Sequence, residues 1–402
     1  MRFRSWIAFA LLLAACDGES VADAGVATDA GMLVEVDAGT APEDFDGYIE
    51  WWMQQGGIPG AAVAIVRPDA IERVATYGWA DIESERPVDA NTLFVMASVS
   101  KTVAAVRAMQ LVEAGMLDLD APVDDVLGYP VRNPAFADDP ISARMLFAHV
   151  SGLEDDFLTL GEVTYVGDPV MTLAEFTMAY ATPGGSLWDP IANWGTSAPG
   201  QGDAYSNAGF GVLGDVIERA GGASYRDQTR TAIFEPIDMD GAGWFLSDID
   251  LARLATPYTG NRHFSPLDQN GYAFYPASSL RISITGLGRY ARMFLGRGTL
   301  DGTTVLSEAS VDEILRIQYP SVDRTQGICF YERSVDGHRY IGHSGSTFGG
   351  ATQFLLSRDL GHAIILITNG DAYIRSRVLG DESGTEAMEA ILTRLDQEAL
   401  AP

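Results

Sequence analysis

Lysine is almost missing from this chain. One occurs in 402 residues, Lys101, and the other 25 basic side chains are arginines. No basic residue stands between Arg4 and Arg67. Against 26 basic groups stand 55 carboxylates, a formal charge of −29. Such a chain repels phosphate backbones, which argues against a nucleic-acid partner. Cysteine is scarce too: Cys16 and Cys329 are too few for a disulfide framework. The five histidines are scattered, without a His-Glu-x-x-His or Cys/His cluster. No metal site and no cofactor is therefore expected. No apolar run reaches about 18 residues, the length that reads as a membrane span. What is present is ordinary globular material, 47% apolar and 20% charged, ample for a sizeable core.

At the front, Arg2 and Arg4 precede an apolar stretch over 6–15, the right length for a signal h-region. It ends Leu13-Ala14-Ala15-Cys16, which resembles a bacterial lipoprotein cleavage box. The resemblance implies that a lipoprotein signal peptide, residues 1–15, is removed and that Cys16 carries lipid. The protein would then meet a membrane through that lipid. It would sit in the bacterial cell envelope, on a periplasmic or extracellular face. The alternative is an ordinary secretory signal with an incidental cysteine. Residues 16–43 are mostly Ala, Gly, Asp and Val, with Asp-Ala-Gly at 23–25, 29–31 and 37–39. Such a composition buries too little surface to offset its ordering entropy. It reads as an acidic flexible tether with an end-to-end distance of roughly 30 Å. With Cys16 acylated, Cys329 has no partner and reads as a buried small hydrophobe.

The globular unit is expected over 44–397. Phe45, Tyr48, Ile49 and Trp52 fall at i, i+3, i+4 and i+7, which predicts a helix. Residues 61–66 and 72–79 read as strands joined by a turn at Pro68-Asp69. Further short strands are expected at 327–332, 339–341, 351–356 and 362–368. A last helix over 385–395 puts Met388, Ile391, Leu392 and Leu395 on one face, opened by a Ser383…Glu386 capping box. Strands from both ends of the chain thus build one sheet. The middle, 98–320, is helical and loop-rich. The expected class is α/β of the α+β type: an antiparallel sheet flanked by N- and C-terminal helices, plus a mainly helical lobe.

Residues 98–116 are helical and nearly apolar all round, the mark of a buried helix, with Gly115 as a stop. Ser98 opens it and Lys101 follows one turn on. Positions i and i+3 bring Cβ atoms to about 5–6 Å, so the two side chains can touch. A serine hydroxyl is a weak nucleophile until a base takes its proton. Burial lowers a lysine pKa and frees its lone pair. Arginine stays protonated and cannot serve. A single lysine held where the rest of the chain uses arginine fits that base. The alternative is an incidental buried amine.

Ser98-Val99-Ser100-Lys101 resembles the S-x-x-K motif of serine penicillin-recognising enzymes, which comprise β-lactamases, D-alanyl-D-alanine peptidases and related esterases. The block 199–222, with Tyr205-Ser206-Asn207, resembles the Tyr-x-Asn motif of the group related to class C β-lactamases. His149 to Leu153 (H-V-S-G-L) resembles that group's His-Thr-Ser-Gly-Leu signature. Gly342 to Ser346 (G-H-S-G-S) resembles its third active-site motif, and 301–314 a further family segment. The likeness covers about 44–395. It implies a β-lactamase/transpeptidase-like fold and a serine hydrolase working through an acyl-enzyme on Ser98. Substrates would be a D-amino-acid peptide, a β-lactam or a small ester. Lys101 and Tyr205 would be catalytic, with Asn207, His343 and Gly345 binding substrate. The backbone N–H groups of Ser98 and Ser346 would form the oxyanion hole. His149 would belong to a structural turn. His343 would help bind a substrate carboxylate or polarise the site.

Residue chemistry supports several of these roles. A tyrosine beside a cationic amine gives up its proton more readily. Asn207 offers donor and acceptor together. The plainer alternatives are a capped helix start at 205–207 and a turn histidine at 343. Two departures stand out. Histidine replaces the lysine usual in the third motif of class C β-lactamases, which favours a carboxypeptidase or esterase over an efficient β-lactamase. Pro276 to Leu280 (P-A-S-S-L) stands where Ala-Gly-Gly-Leu is usual, which puts the local pocket shape in question. The run Glu154-Asp155-Asp156 reads as a solvated loop. The segment 154–198, with Phe157, Tyr165, Trp188 and Trp194, is expected to border the pocket. The rival from another class is a non-catalytic envelope protein binding cell-wall peptide on the same fold. The intact set Ser98, Lys101, Tyr205 and Asn207 weighs against it.

Overall fold

The computed structural model describes residues 39–401. The expected signal peptide, Cys16 and all but the end of the tether lie outside the described residues. Five helices matter for the site: α1 (Phe45–Gln55), α2 (Lys101–Glu113), α3 (Asn207–Gly221), α4 (Ile284–Leu295) and α5 (Ser383–Ala399). The main sheet has seven strands: β1 (Gly60–Val66), β2 (Ile71–Asp81), β3 (Arg86–Pro87), β4 (Tyr331–Val335), β5 (His338–Thr347), β6 (Gly350–Ser357) and β7 (His362–Thr368). Their order is β4-β5-β6-β7-β1-β2-β3, antiparallel throughout.

The two ends of the chain meet at the β1–β7 pairing, which runs from Ala61 opposite Thr368 to Val66 opposite Ala363. Both strands are buried along their whole length, and almost wholly apolar, because both of their faces are covered. Ala62, Ala64 and Val66 face the core shared with the helical lobe. Ala61, Val63 and Ile65 face the core built by α1 and α5. α5 buries Met388, Ile391, Leu392 and Leu395 there, as their 3.6-residue spacing predicts. α1 buries Phe45, Ile49 and Met53, so its inward face is i, i+4, i+8; Tyr48 and Trp52 lie at its margins.

Three local expectations are corrected. The strand expected at 327–332 begins at Tyr331 instead. Cys329 has φ +69° and Gly327 N donates to the Phe330 carbonyl at 2.6 Å, a turn that no strand can contain. The strand expected at 339–341 runs on to Thr347 and carries the whole third motif. There is no capping box at the start of α5. Ser383 lies inside the helix and its hydroxyl donates to Asp381 Oδ1 at 2.6 Å.

Candidate active site

The site is assembled where the start of α2 meets β5. Before α2 the chain makes a 3-10 turn, Ala97–Ser100, that carries Ser98 half-buried. Ala97 enters it with φ +46°, a left-handed conformation that an L residue adopts only under constraint. The constraint is β5. A Cβ on Gly345 would stand 2.3 Å from the Met96 carbonyl oxygen. Glycine is thus required for the strand to lie against the turn that carries Ser98.

Lys101 is fully buried. Its Nζ has three polar neighbours: Ser98 Oγ at 3.0 Å, Asn207 Oδ1 at 2.7 Å and the Ala277 carbonyl oxygen at 2.8 Å. The rings of Tyr205 and Phe210 lie beneath it, with centroids at 4.9 and 5.4 Å. Burial pulls the lysine down to about 7, against the opposing pull of Cys329 and Asp155. Near neutral pH a large share of the amine is therefore uncharged. An uncharged amine has two N–H donors and one lone pair. Two of its neighbours, the amide and carbonyl oxygens, can only accept. The third, Ser98, has a proton to give. The surroundings match a base poised on the serine.

The segment 276–280, which departs from the family pattern, supplies that third contact. Ala277 presents its carbonyl to the lysine, and Leu280 N donates to Ser100 Oγ at 3.0 Å. The local shape is thus part of the lysine's cage.

The capped-helix alternative for 205–207 also holds, without conflict. Ser206 Oγ accepts from Gly209 N at 2.9 Å and caps α3. Its neighbours Tyr205 and Asn207 are then turned to the lysine. Asn207 Nδ2 donates to Asp155 Oδ2 at 2.7 Å, and Asn207 N donates to the same oxygen at 2.9 Å. Ala208 N and Ser206 Oγ donate to Asp155 Oδ1 at 2.9 and 3.3 Å. Asp155 is therefore no solvated loop residue. It crowns the N-terminus of α3, where an anion is favoured, and fixes which end of the Asn207 amide faces the lysine. The sequence offered no signal for it, since its partners lie about fifty positions on.

Tyr205 turns its hydroxyl towards Ser98, while 47% of the residue remains open to solvent. The expectation that it loses its proton easily finds no support. Burial raises its pKa, and the Ser98 hydrogen bond offsets only part of that. The amine lies over the ring face and only part of it is charged near neutral pH, so it gives little help. Tyr205 is a phenol here. His149 lies against it, the rings tilted by 33° with centroids 4.3 Å apart, and accepts from Ser206 N at Nδ1, 3.1 Å. The histidine has φ +58° and burial holds it neutral, so it acts as a platform for the tyrosine.

His343 lies inside β5 and is buried. Its Nδ1 faces the Ser344 carbonyl oxygen at 2.6 Å, which fixes the proton on Nδ1. Burial, and then the Lys101 charge, lower it to about 3. Tyr331 on β4 donates to Ser344 Oγ at 2.5 Å and accepts from Ser344 N at 2.9 Å. Of the aromatics in 154–198, Phe157 is 60% exposed and Trp194 is buried in the core. Tyr165 pairs across a short ladder with Gly271, and the neighbouring Tyr272 hydroxyl lies 3.3 Å from Thr347 Oγ1 at the end of β5. Cys329 is buried and reduced, its thiol pKa raised by burial. Among the described residues no cluster could hold a metal ion.

The profile of the Beta-lactamase family matches residues 45–388, and the chain belongs to that family. It is 29% identical over 329 residues to "Penicillin-binding protein 4" of Amycolatopsis lactamdurans, 78% of this chain and 81% of that one. It is 30% identical over 230 residues to "Esterase EstB" of Burkholderia gladioli, 56% of each chain. Among solved structures, the D-amino acid amidase from Ochrobactrum anthropi SV3 superposes with a TM-score of 0.66 at 21% identity, over 89% of this chain and 99% of that one. That likeness extends to the fold.

Proposed function

We propose that the protein is a serine hydrolase that works through an acyl-enzyme on Ser98. Its substrate is a D-amino-acid peptide, a β-lactam or a small ester. The observation that carries this is the lysine cage: a buried amine 3.0 Å from Ser98 Oγ, with its other two neighbours fixed as acceptors.

Neutral Lys101 takes the Ser98 proton as Oγ attacks the substrate carbonyl. The ammonium then donates to Asn207 Oδ1 and the Ala277 carbonyl, with Asp155 beyond Asn207 countering the charge. Backbone N–H groups of Ser98 and Ser346 receive the oxyanion, each such donor being worth about 10²–10³ in rate. Tyr205, a phenol beside Ser98, passes a proton to the leaving group and is reprotonated from Lys101. Water attacks the acyl-enzyme by the same route in reverse. Histidine in the third motif favours a carboxypeptidase or esterase over an efficient β-lactamase.

A fluorophosphonate should label Ser98 in the wild type and leave Ser98→Ala unlabelled. The substitution should also cut p-nitrophenyl butyrate hydrolysis by about 10³-fold or more. Absence of any covalent adduct would favour the binding-module alternative. We also place the protein in the bacterial cell envelope, tethered by lipid on Cys16 on a periplasmic or extracellular face. The motif at 13–16 supports this. Loss of detergent-phase partitioning in Cys16→Ala tests it.

A further inference from the structure

Tyr205, which protonates the leaving group in the reading above, has its ring 6.4 Å from that of His343, centroid to centroid, so the departing half lies beside this motif, and here it offers no positive charge. His343 Nδ1 donates to Ser344 O, so in the neutral ring Nε2 is a bare acceptor. Nε2 forms no hydrogen bond to any described residue. Charging the ring would require acid far below neutrality. The ammonium form of Lys101 has no donor to spare, because its three N–H groups meet Ser98 Oγ, Asn207 Oδ1 and Ala277 O. No arginine acts on either residue: Asp155 is the charged group beside the lysine, and Lys101 the one beside the histidine. Arg333, on the neighbouring β4, is committed to Gln353 at 3.0 Å and Glu389 at 2.6 Å. Arg281 is buried and donates to the carbonyls of Trp244, Ser279 and Asn270. Beside Ser344 the sheet supplies the Tyr331 hydroxyl rather than a cation. The full negative charge held in this cage is Asp155. A carboxylate brought here would lose water without gaining a counter-charge.

The geometry points to a substrate class that narrows the carboxypeptidase-or-esterase reading to esters and amides whose leaving half carries no carboxylate, with an N–H or O–H of that half donating to His343 Nε2; carboxypeptidase substrates and β-lactams fall outside it. This rests on Ser98 being the nucleophile proposed above. Acylation breaks the C–O or C–N bond, forms the Ser98 ester and releases a neutral alcohol or amine. Water then frees the acid and restores the serine hydroxyl.

Matched pairs test it on the full chain. One pair is N-acetyl-D-alanyl-D-alanine and its C-terminal amide. The other is 3-carboxyphenyl acetate and 3-carbamoylphenyl acetate, each rate divided by its hydroxide rate. In whichever pair is turned over, kcat/KM should favour the uncharged member by about tenfold or more, and Ser98→Ala should abolish both. His343→Lys should shift the ratio towards the carboxylate by about tenfold, a comparison internal to that variant. Equal or better turnover of the carboxylate member overturns the substrate class and leaves the Ser98 hydrolase standing. An unchanged ratio in His343→Lys overturns the part given to His343. Turnover of neither pair also overturns the substrate class. If the fluorophosphonate adduct on Ser98 is missing as well, the hydrolase reading falls with it.

Discussion

Asp155→Asn removes one charge and almost no bulk. Its two oxygens receive Asn207 Nδ2 at 2.7 Å, Asn207 N at 2.9 Å, Ala208 N at 2.9 Å and Ser206 Oγ at 3.3 Å. An asparagine keeps one acceptor oxygen and turns an NH₂ on the remaining donors. Losing two bonds to a charged acceptor, at about 1.5–3 kcal/mol each, should cost about 2–4 kcal/mol once water reaches the part-exposed side chain. The Asn207 amide is then free to flip and present its NH₂ to Lys101. The lysine would lose an acceptor and the site its alignment, a displacement that lowers activity by about 10–100-fold. The carboxylate has a second effect. It favours the ammonium form of Lys101, whose pKa burial sets at about 7. Cys329 pulls the same way only when ionised, and burial keeps its thiol protonated near neutrality. The base must be uncharged to act, so activity should rise with pH through about 7 in the wild type and be lost below it. In Asp155→Asn the midpoint should move to lower pH while the plateau falls. Profiles of kcat/KM on p-nitrophenyl butyrate from about pH 5 to 9 read both changes, and urea melts read the stability. A midpoint that stays put or rises, with an intact plateau, would refute the role assigned to the carboxylate.

Three other outcomes are expected. Above pH 7 the unfolded chain binds a proton at Lys101 that the folded chain has lost, so this group makes stability rise with pH up to about 10.5. The slope is at most about 1.4 kcal/mol per pH unit. Lys101→Met should remove that slope and hydrolysis together, and parallel urea melts for the two proteins at pH 7, 8 and 9 would contradict a buried neutral amine. Gly345→Ala puts a Cβ 2.3 Å from Met96 O. It should cost about 1–3 kcal/mol and push β5 off the Ser98 turn, with kcat falling more than KM; a stable, fully active variant would contradict the packing. Cys329 is buried with a raised pKa, so N-ethylmaleimide should leave the native protein unlabelled and modify it only in urea. Rapid native labelling would place that thiol at the surface.

The parts legible in the sequence are those written in local periods. The inward faces of α1 and α5 follow from helical spacing, and β1 and β7 from unbroken apolar runs between turn residues. Ser98 and Lys101 announce themselves because i and i+3 share a helix face and because arginine is used everywhere else. What stayed hidden depends on groups far apart in the chain. Asp155 meets Asn207 across 52 positions. The Ala277 carbonyl meets Lys101 across 176. Neither leaves a pattern in its own neighbourhood. The charge states of Tyr205 and His343 were hidden for the same reason, since burial sets them and burial is a tertiary property. The start of β4 was misplaced because Cys329, an ordinary residue by composition, takes a left-handed conformation.

The helices that open and close the described chain share one side of the sheet, and the nucleophile works on the other. Arg394 reaches the Glu43 carbonyl at 2.9 Å, and Arg67 reaches that of Ala399 at 2.6 Å, so both ends are pinned to the same back wall. Anything joined ahead of residue 43 or beyond residue 399 therefore departs from the rear. A support grafted directly to either end would therefore stand behind the molecule and leave the mouth of the site clear.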